Sequence, residues 1–249
     1  MPKPLIGSEY FKVNTEANLL HEQGLSHGIS GNHDVADYSF TSALNVILSS
    51  DVEQLSPLDK QVQISRIIRD KGFNLVRRSL RDVNVNLYSD GFKYLDESDI
   101  GFYQGEARLT EISDQLSVET KKILYQAVSA ERGATLSLLG RAVTSREVVL
   151  DIKNGQNEAN RYYNRAHGNL VYGNNGYYRV SNAINAARHE KINGKNVAML
   201  GWMGKAIVGL GFSVVKDRKN FKKALLTFGS RTLDLTSKDK AKKSVKVKP

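Results

Sequence analysis

Apolar residues recur at three- and four-residue intervals along most of this 249-residue chain, and that spacing buries hydrophobic faces as helices. The clearest start is Ser56-Pro57-Leu58-Asp59. A serine hydroxyl can accept from the free amides of a first turn. Proline at the first helical position loses no hydrogen bond, and Asp59 complements the positive helix end. Leu58, Val62, Ile64, Ile67 and Ile68 then form one face, and Gly72 reads as a stop, which predicts a helix over 57–71. Val83, Val85 and Leu87 alternate with Asn84 and Asn86, and Asp90-Gly91 offers a turn, so a β-hairpin is expected near 83–95. Helical spacing returns from Ser117 to about Gly133, and Thr144-Ser145-Arg146-Glu147 resembles another helix start. Ser181 can cap a helix reaching Ile192 with Gly194 beyond it, and Asn220 can cap one over 221–228. The fold class is therefore mainly α, with α+β as the alternative: a helical globular fold with one hairpin and a flexible basic C-terminal tail.

The chain has no cysteine, which excludes disulfides and thiolate metal sites, and its five histidines leave little for zinc. Stability has to come from a core, and 40% apolar with 25% charged residues is an ordinary globular composition. The segment Met1-Pro2-Lys3-Pro4-Leu5-Ile6-Gly7 lacks the apolar stretch of a secretory signal. The run 196–215 is interrupted by Lys205 and four glycines, too broken to read as a membrane span. The expected setting is intracellular, cytoplasmic or nuclear, or the inside of a virus particle.

Charge is divided unevenly. Residues 1–150 carry 16 Lys/Arg against 20 Asp/Glu, a net −4, whereas 151–249 carry 20 against 6, a net +14. No internal repeat or Pro/Ser-rich linker cuts the chain. The expected organisation is an acidic, mainly helical scaffold or self-association region over 1–150 and a basic Tyr/Gly/Asn-rich region over 151–236. The two would pack as one unit, followed by a basic disordered tail over 237–249 with six lysines. A surplus of this size needs an explanation, either from self-repulsion or from a polyanionic partner, and the second is the expectation adopted.

The segment 161–179 holds five of the eleven tyrosines, interleaved with three arginines and three glycines. Single-stranded nucleic acid takes flat faces for its bases and cations for its phosphates. Arg161, Arg165 and Arg179 are the phosphate candidates, with Tyr162, Tyr163, Tyr177 and Tyr178 as stacking platforms. The competing reading packs these rings into the core around an Asn-Asn-Gly turn. Lys216, Arg218, Lys219, Lys222 and Lys223 form a second cationic group on an amphipathic element. The apolar, Gly-rich stretch 197–215 between them reads first as the centre of a C-terminal core. Its alternative is a membrane-active segment flanked by lysines.

His21, His27 and His33 recur every six residues near Glu22 and Asp34, which matches neither an i, i+4 helix pair nor the His-Glu-x-x-His zinc helix. Phosphate-loop, dinucleotide and serine-elbow motifs are missing, so no metal, cofactor or catalytic residue is assigned. The function expected is a non-enzymatic, nucleic-acid-associated structural protein, such as a packaging, nucleoprotein-like or particle component. It would bind DNA or RNA without sequence preference and associate with itself. The alternatives are an enzyme acting on an anionic polymer (a nuclease or cell-wall hydrolase using His21, His27, His33, His167, Glu22 or Asp34) and a membrane-perturbing protein using 197–215.

Overall fold

The computed structural model describes residues 11–49, 55–149, 156–216 and 218–236. Among them lie nine α-helices, a single 3₁₀ turn at Ser113–Gln115, and no strand. In chain order the helices are α1 Thr15–Ile29, α2 His33–Ser49, α3 Pro57–Asp82, α4 Val85–Glu111, α5 Val118–Val149, α6 Gln156–Tyr172, α7 Gly176–Ile192, α8 Asn196–Lys216 and α9 Arg218–Thr236. The basic tail 237–249 lies outside the described residues.

The start of α3 is the one its sequence predicts. Ser56 Oγ accepts from the Asp59 amide at 3.1 Å and donates to the Asp59 carboxylate at 2.7 Å. The stop at Gly72 is not used, and the helix continues ten residues further to Asp82. Gly72 instead faces Gly91 of α4 so closely that a Cβ on either glycine would lie 2.7 Å from the other's carbonyl oxygen. The hairpin expected near 83–95 is corrected by the same contact. Val83 closes α3 in a left-handed conformation (φ 49°), and Asn84 Oδ1 accepts from the Leu87 amide to open α4. The apparent two-residue alternation is thus the junction between two helices. Tyr88, Gly91, Leu95, Ser98 and Phe102 follow at helical spacing and are buried.

Helix α5 also runs through its expected stop. Gly133 admits the Leu170 side chain and Gly140 admits the Tyr163 ring, where an added Cβ would meet each at 2.7 Å. At 32 residues α5 is about 48 Å long, and it supplies residues to three of four core clusters. Val128 packs with Val62, Phe102 and Leu109; Leu136 and Leu139 pack with Val76, Leu95 and Ala166; Val143 packs with Tyr163, Val180, Ile184 and Trp202. A fourth cluster of Ala36, Phe40, Ala43 and Ile67 ties α1 and α2 to α3. The helices therefore add on in sequence, with α1 and α2 at one end of the spine and α7, α8 and α9 at the other.

The helix start expected at Thr144-Ser145-Arg146-Glu147 lies inside α5, where Thr144 Oγ1 donates to the Gly140 carbonyl, and two further boundaries differ from expectation. Helix α7 opens at Gly176, capped by Asn175 Oδ1 accepting from the Tyr178 amide, so Ser181 lies one turn inside it. Helix α9 opens at Arg218, before Asn220. The end of α7 at Ile192, with Gly194 at φ +73°, is where the sequence puts it.

Candidate polyanion interface

The segment 161–179 folds as the last turns of α6, a tight turn and the first turn of α7. Asn174 takes the left-handed turn position at φ 52°. The turn is pressed into the protein: Gly173 lies against the backbone of Ala130, and Gly176 against Ser213 of α8. Close approach here serves helix packing.

The twelve residues singled out as phosphate or base contacts are distributed as follows. Tyr163 is 1% exposed, its ring in the core beside His189 and its hydroxyl 3.2 Å from Thr144 Oγ1; burial pushes its phenol up to about 12. Such a ring offers no face to a base. Tyr162 is half-buried and meets Phe92 edge-on. Arg165 donates to Asp99 Oδ2 at 3.0 Å, so its charge is met by a carboxylate of the acidic part. Arg179 is buried with its guanidinium 4.7 Å over the Phe212 ring, and loss of hydration lowers its pKa. Tyr178 is held neutral by burial, with Arg69, Glu131, Tyr177 and Asp70 in its surroundings.

Four others of the twelve keep a face at the surface. Lys223 Nζ lies 4.3 Å from the centre of the half-buried Tyr177 ring, and Lys222 is exposed beside it. Arg161 is exposed on α6. Lys216, Arg218 and Lys219 fall within α8 and α9, but their side chains lie outside the described set.

A contrast in charge pairing, not visible from composition, separates the two ends of the molecule. Along α3–α6, Arg66, Arg69, Arg78, Arg81, Arg132, Arg146 and Arg165 each meet a carboxylate, whereas Arg161 meets none among the described residues. Glu131 receives both Arg66 (2.7 Å) and Arg69 (2.6 Å), Arg69 also meets Asp70, and His21 Nε2 lies 2.9 Å from Asp70. Arg132 is shared by Asp99 and Glu106, and Arg146 meets Glu158. In the α7–α9 layer, Arg188, Lys195, Lys205, Lys222 and Lys223 have no carboxylate partner among the described residues, and the stretch 191–216 contains no acid. Lys205 Nζ instead sits 3.8 Å from the Trp202 ring centre.

The segment 197–215, expected to lie at the centre of the C-terminal core, is only half inside it. Trp202, Ala206, Gly209 and Ser213 are buried, while the opposite side of α8 is exposed. The histidines of the N-terminal segment do not converge on an ion. His21 is committed to Asp70 and His33 Nδ1 to Asn74 Oδ1 at 2.7 Å, and no group of three His, Asp or Glu suited to a metal exists among the described residues. An open cleft between α4, α5 and α6, lined by Tyr103, Glu106, Glu111, Tyr125 and Tyr172, is acidic and therefore unsuited to phosphate. Comparison with protein-family models, with curated proteins and with solved structures gave no match.

His167 of α6 faces Trp202 of α8 edge-on at 5.9 Å. Burial, then the charges of Lys205 and Arg179, push its imidazole below the usual 6.5. The unfolded chain therefore takes up this proton at higher pH than the folded one, and stability falls as pH drops below about 6.5. The melting temperature of wild type is expected to fall more than that of His167→Asn between about pH 7.5 and about pH 5. Parallel pH profiles for the two would show that His167 is not responsible.

Proposed function

We propose that this chain is a non-enzymatic structural protein that binds the phosphate backbone of nucleic acid through the cations of its C-terminal helical layer. The observation that supports the reading is the pairing contrast: seven arginines of α3–α6 meet carboxylates, whereas Arg188, Lys195, Lys205, Lys222 and Lys223 have no carboxylate partner among the described residues. Buried pairs contribute to internal structure, whereas unmatched surface lysines raise the potential outside the molecule. The contact set is smaller than composition suggests. It centres on Lys222 and Lys223, with Tyr177 beneath Lys223 as the remaining aromatic face, and Arg161 of α6 is a separate exposed cation. The sequence carries no motif known for reading base edges, and the contacts proposed are to phosphate, so binding without sequence preference is expected. The opposed charge of the two parts also favours head-to-tail contact between copies, as suits a packaging or particle component.

A single-stranded oligonucleotide titrated over a salt series tests this. Each phosphate contact contributes about −0.7 to the slope of log K against log salt, so Lys222→Gln with Lys223→Gln makes the slope shallower by about 1.4. Weak, salt-independent retention of the wild type would overturn the proposal.

A further inference from the structure

The outer face of α8 has a composition that water does not account for. At 100° per residue, Val197, Leu200, Gly201, Gly204, Ile207, Val208, Gly211 and Val214 fall within one arc of the helix, opposite Trp202, Ala206, Gly209 and Ser213. Every residue of that arc is exposed, with Val197 at 85%, Leu200 at 64% and Val208 at 63%. A Cβ built on Gly201, Gly204 or Gly211 meets nothing. The arc contains no charged residue over about 26 Å, whereas solvent faces of helices ordinarily carry charges. By contrast Leu19 of α1, exposed singly with Thr15, Glu16, Glu22 and Gln23 one turn to either side, needs no partner.

We propose that this face docks on an anionic phospholipid bilayer, with α8 lying in the plane of the interface and the helical bundle intact. Residues 196–214 have a mean hydropathy of 1.5, enough by length and composition for a membrane span, and only 22% of the window is buried. The inner face stays packed on α7, where Gly209 meets Arg179 and Val180, so the helix presents one side to lipid. Lys195 precedes the arc and Lys205 flanks it, and no carboxylate lies between 191 and 216. Anionic head groups supply the missing countercharge. Pairing the face with that of a second copy would set these lysines against each other with no acid to receive them. Nucleic acid would satisfy the lysines and leave the apolar arc in water. The proposal rests on the apolar arc and is independent of the nucleic-acid reading.

The test is co-sedimentation of the full chain with vesicles of phosphatidylcholine containing one-third phosphatidylglycerol, against vesicles of phosphatidylcholine alone. Wild type should partition roughly tenfold or more in favour of the anionic vesicles. Leu200→Glu with Val208→Glu should lose that binding while keeping its helical circular dichroism and its oligonucleotide affinity. Wild type that ignores vesicles, or a double variant that binds them equally, would overturn the proposal. So would a wild-type dimer by light scattering that the double variant dissociates without any vesicle binding, which would assign the face to a second copy. Loss of oligonucleotide binding in the double variant would assign it to nucleic acid. Lys222→Gln with Lys223→Gln tests the phosphate site separately.

Discussion

Glu131→Gln is expected to remove about 3–5 kcal/mol from the unfolding free energy, the range for breaking a buried ion pair from one side. Glu131 is 1% exposed, and its two carboxylate oxygens serve Arg66 and Arg69 separately. An amide keeps the shape but removes the charge, leaving two guanidinium groups of α3 with a neutral oxygen and a misplaced NH₂ group. Arg69 retains Asp70, whose carboxyl shows how tightly this network is coupled. Burial alone would raise its pKa, yet the Arg69 charge and the hydrogen bond from His21 bring it well below the usual range. Asp70 therefore favours the folded state above the ordinary carboxylate pKa, and that contribution is lost as pH falls through its depressed value. Urea denaturation at neutral pH measures the Glu131 effect. A loss no larger than that from Lys93→Gln, which removes the exposed Lys93–Glu97 pair, would mean that the network contributes little.

Gly91→Val should destabilise the protein by about 3 kcal/mol, at the upper end of the overpacking range. The atoms that a Cβ would meet are the Gly72 carbonyl oxygen at 2.7 Å and the Val76 amide nitrogen at 2.8 Å, both main chain. A side-chain tip could swing aside; two helix backbones can only move apart. Separating α3 from α4 would also loosen Leu95 and Val76, which join that pair to α5. Gly201→Ala, in the open on α8, serves as the control and should gain a few tenths of a kcal/mol or more from helix propensity. Equal denaturation midpoints for Gly91→Val and wild type would show that α3 and α4 can separate without loss.

Much of the helical architecture was legible because its signals are local. The Ser56 cap, the proline after it and the Gly194 stop act within one turn of chain, so no distant partner is needed to recognise them. Gly72 and Gly133 were misread for the complementary reason. A glycine that ends a helix and a glycine that lets another helix touch it look identical in sequence, and only Gly91 and Leu170 distinguish them. The alternation of Val83, Val85 and Leu87 was misread because three residues are too few to separate a strand from a helix junction. The longer run Tyr88, Leu95 and Phe102 carried the helical period.

The candidate site was legible in outline and not in detail. Counting charges located the cationic part of the chain, but not which cations face outward. Arg165 and Arg179 look alike in sequence; one is bound by an aspartate 66 residues earlier, and the other lies buried against Phe212. Tyr162 and Tyr163 divide between the half-buried edge of the core and its interior for the same long-range reason. Sequence alone determined that this chain is helical, free of cysteine and cationic after residue 150, since these follow from composition and from spacing within a few turns. The tertiary structure decided which charges are cancelled and which apolar faces are covered. Both depend on what the fold brings from far along the chain, and for the outer arc of α8 the described residues bring nothing.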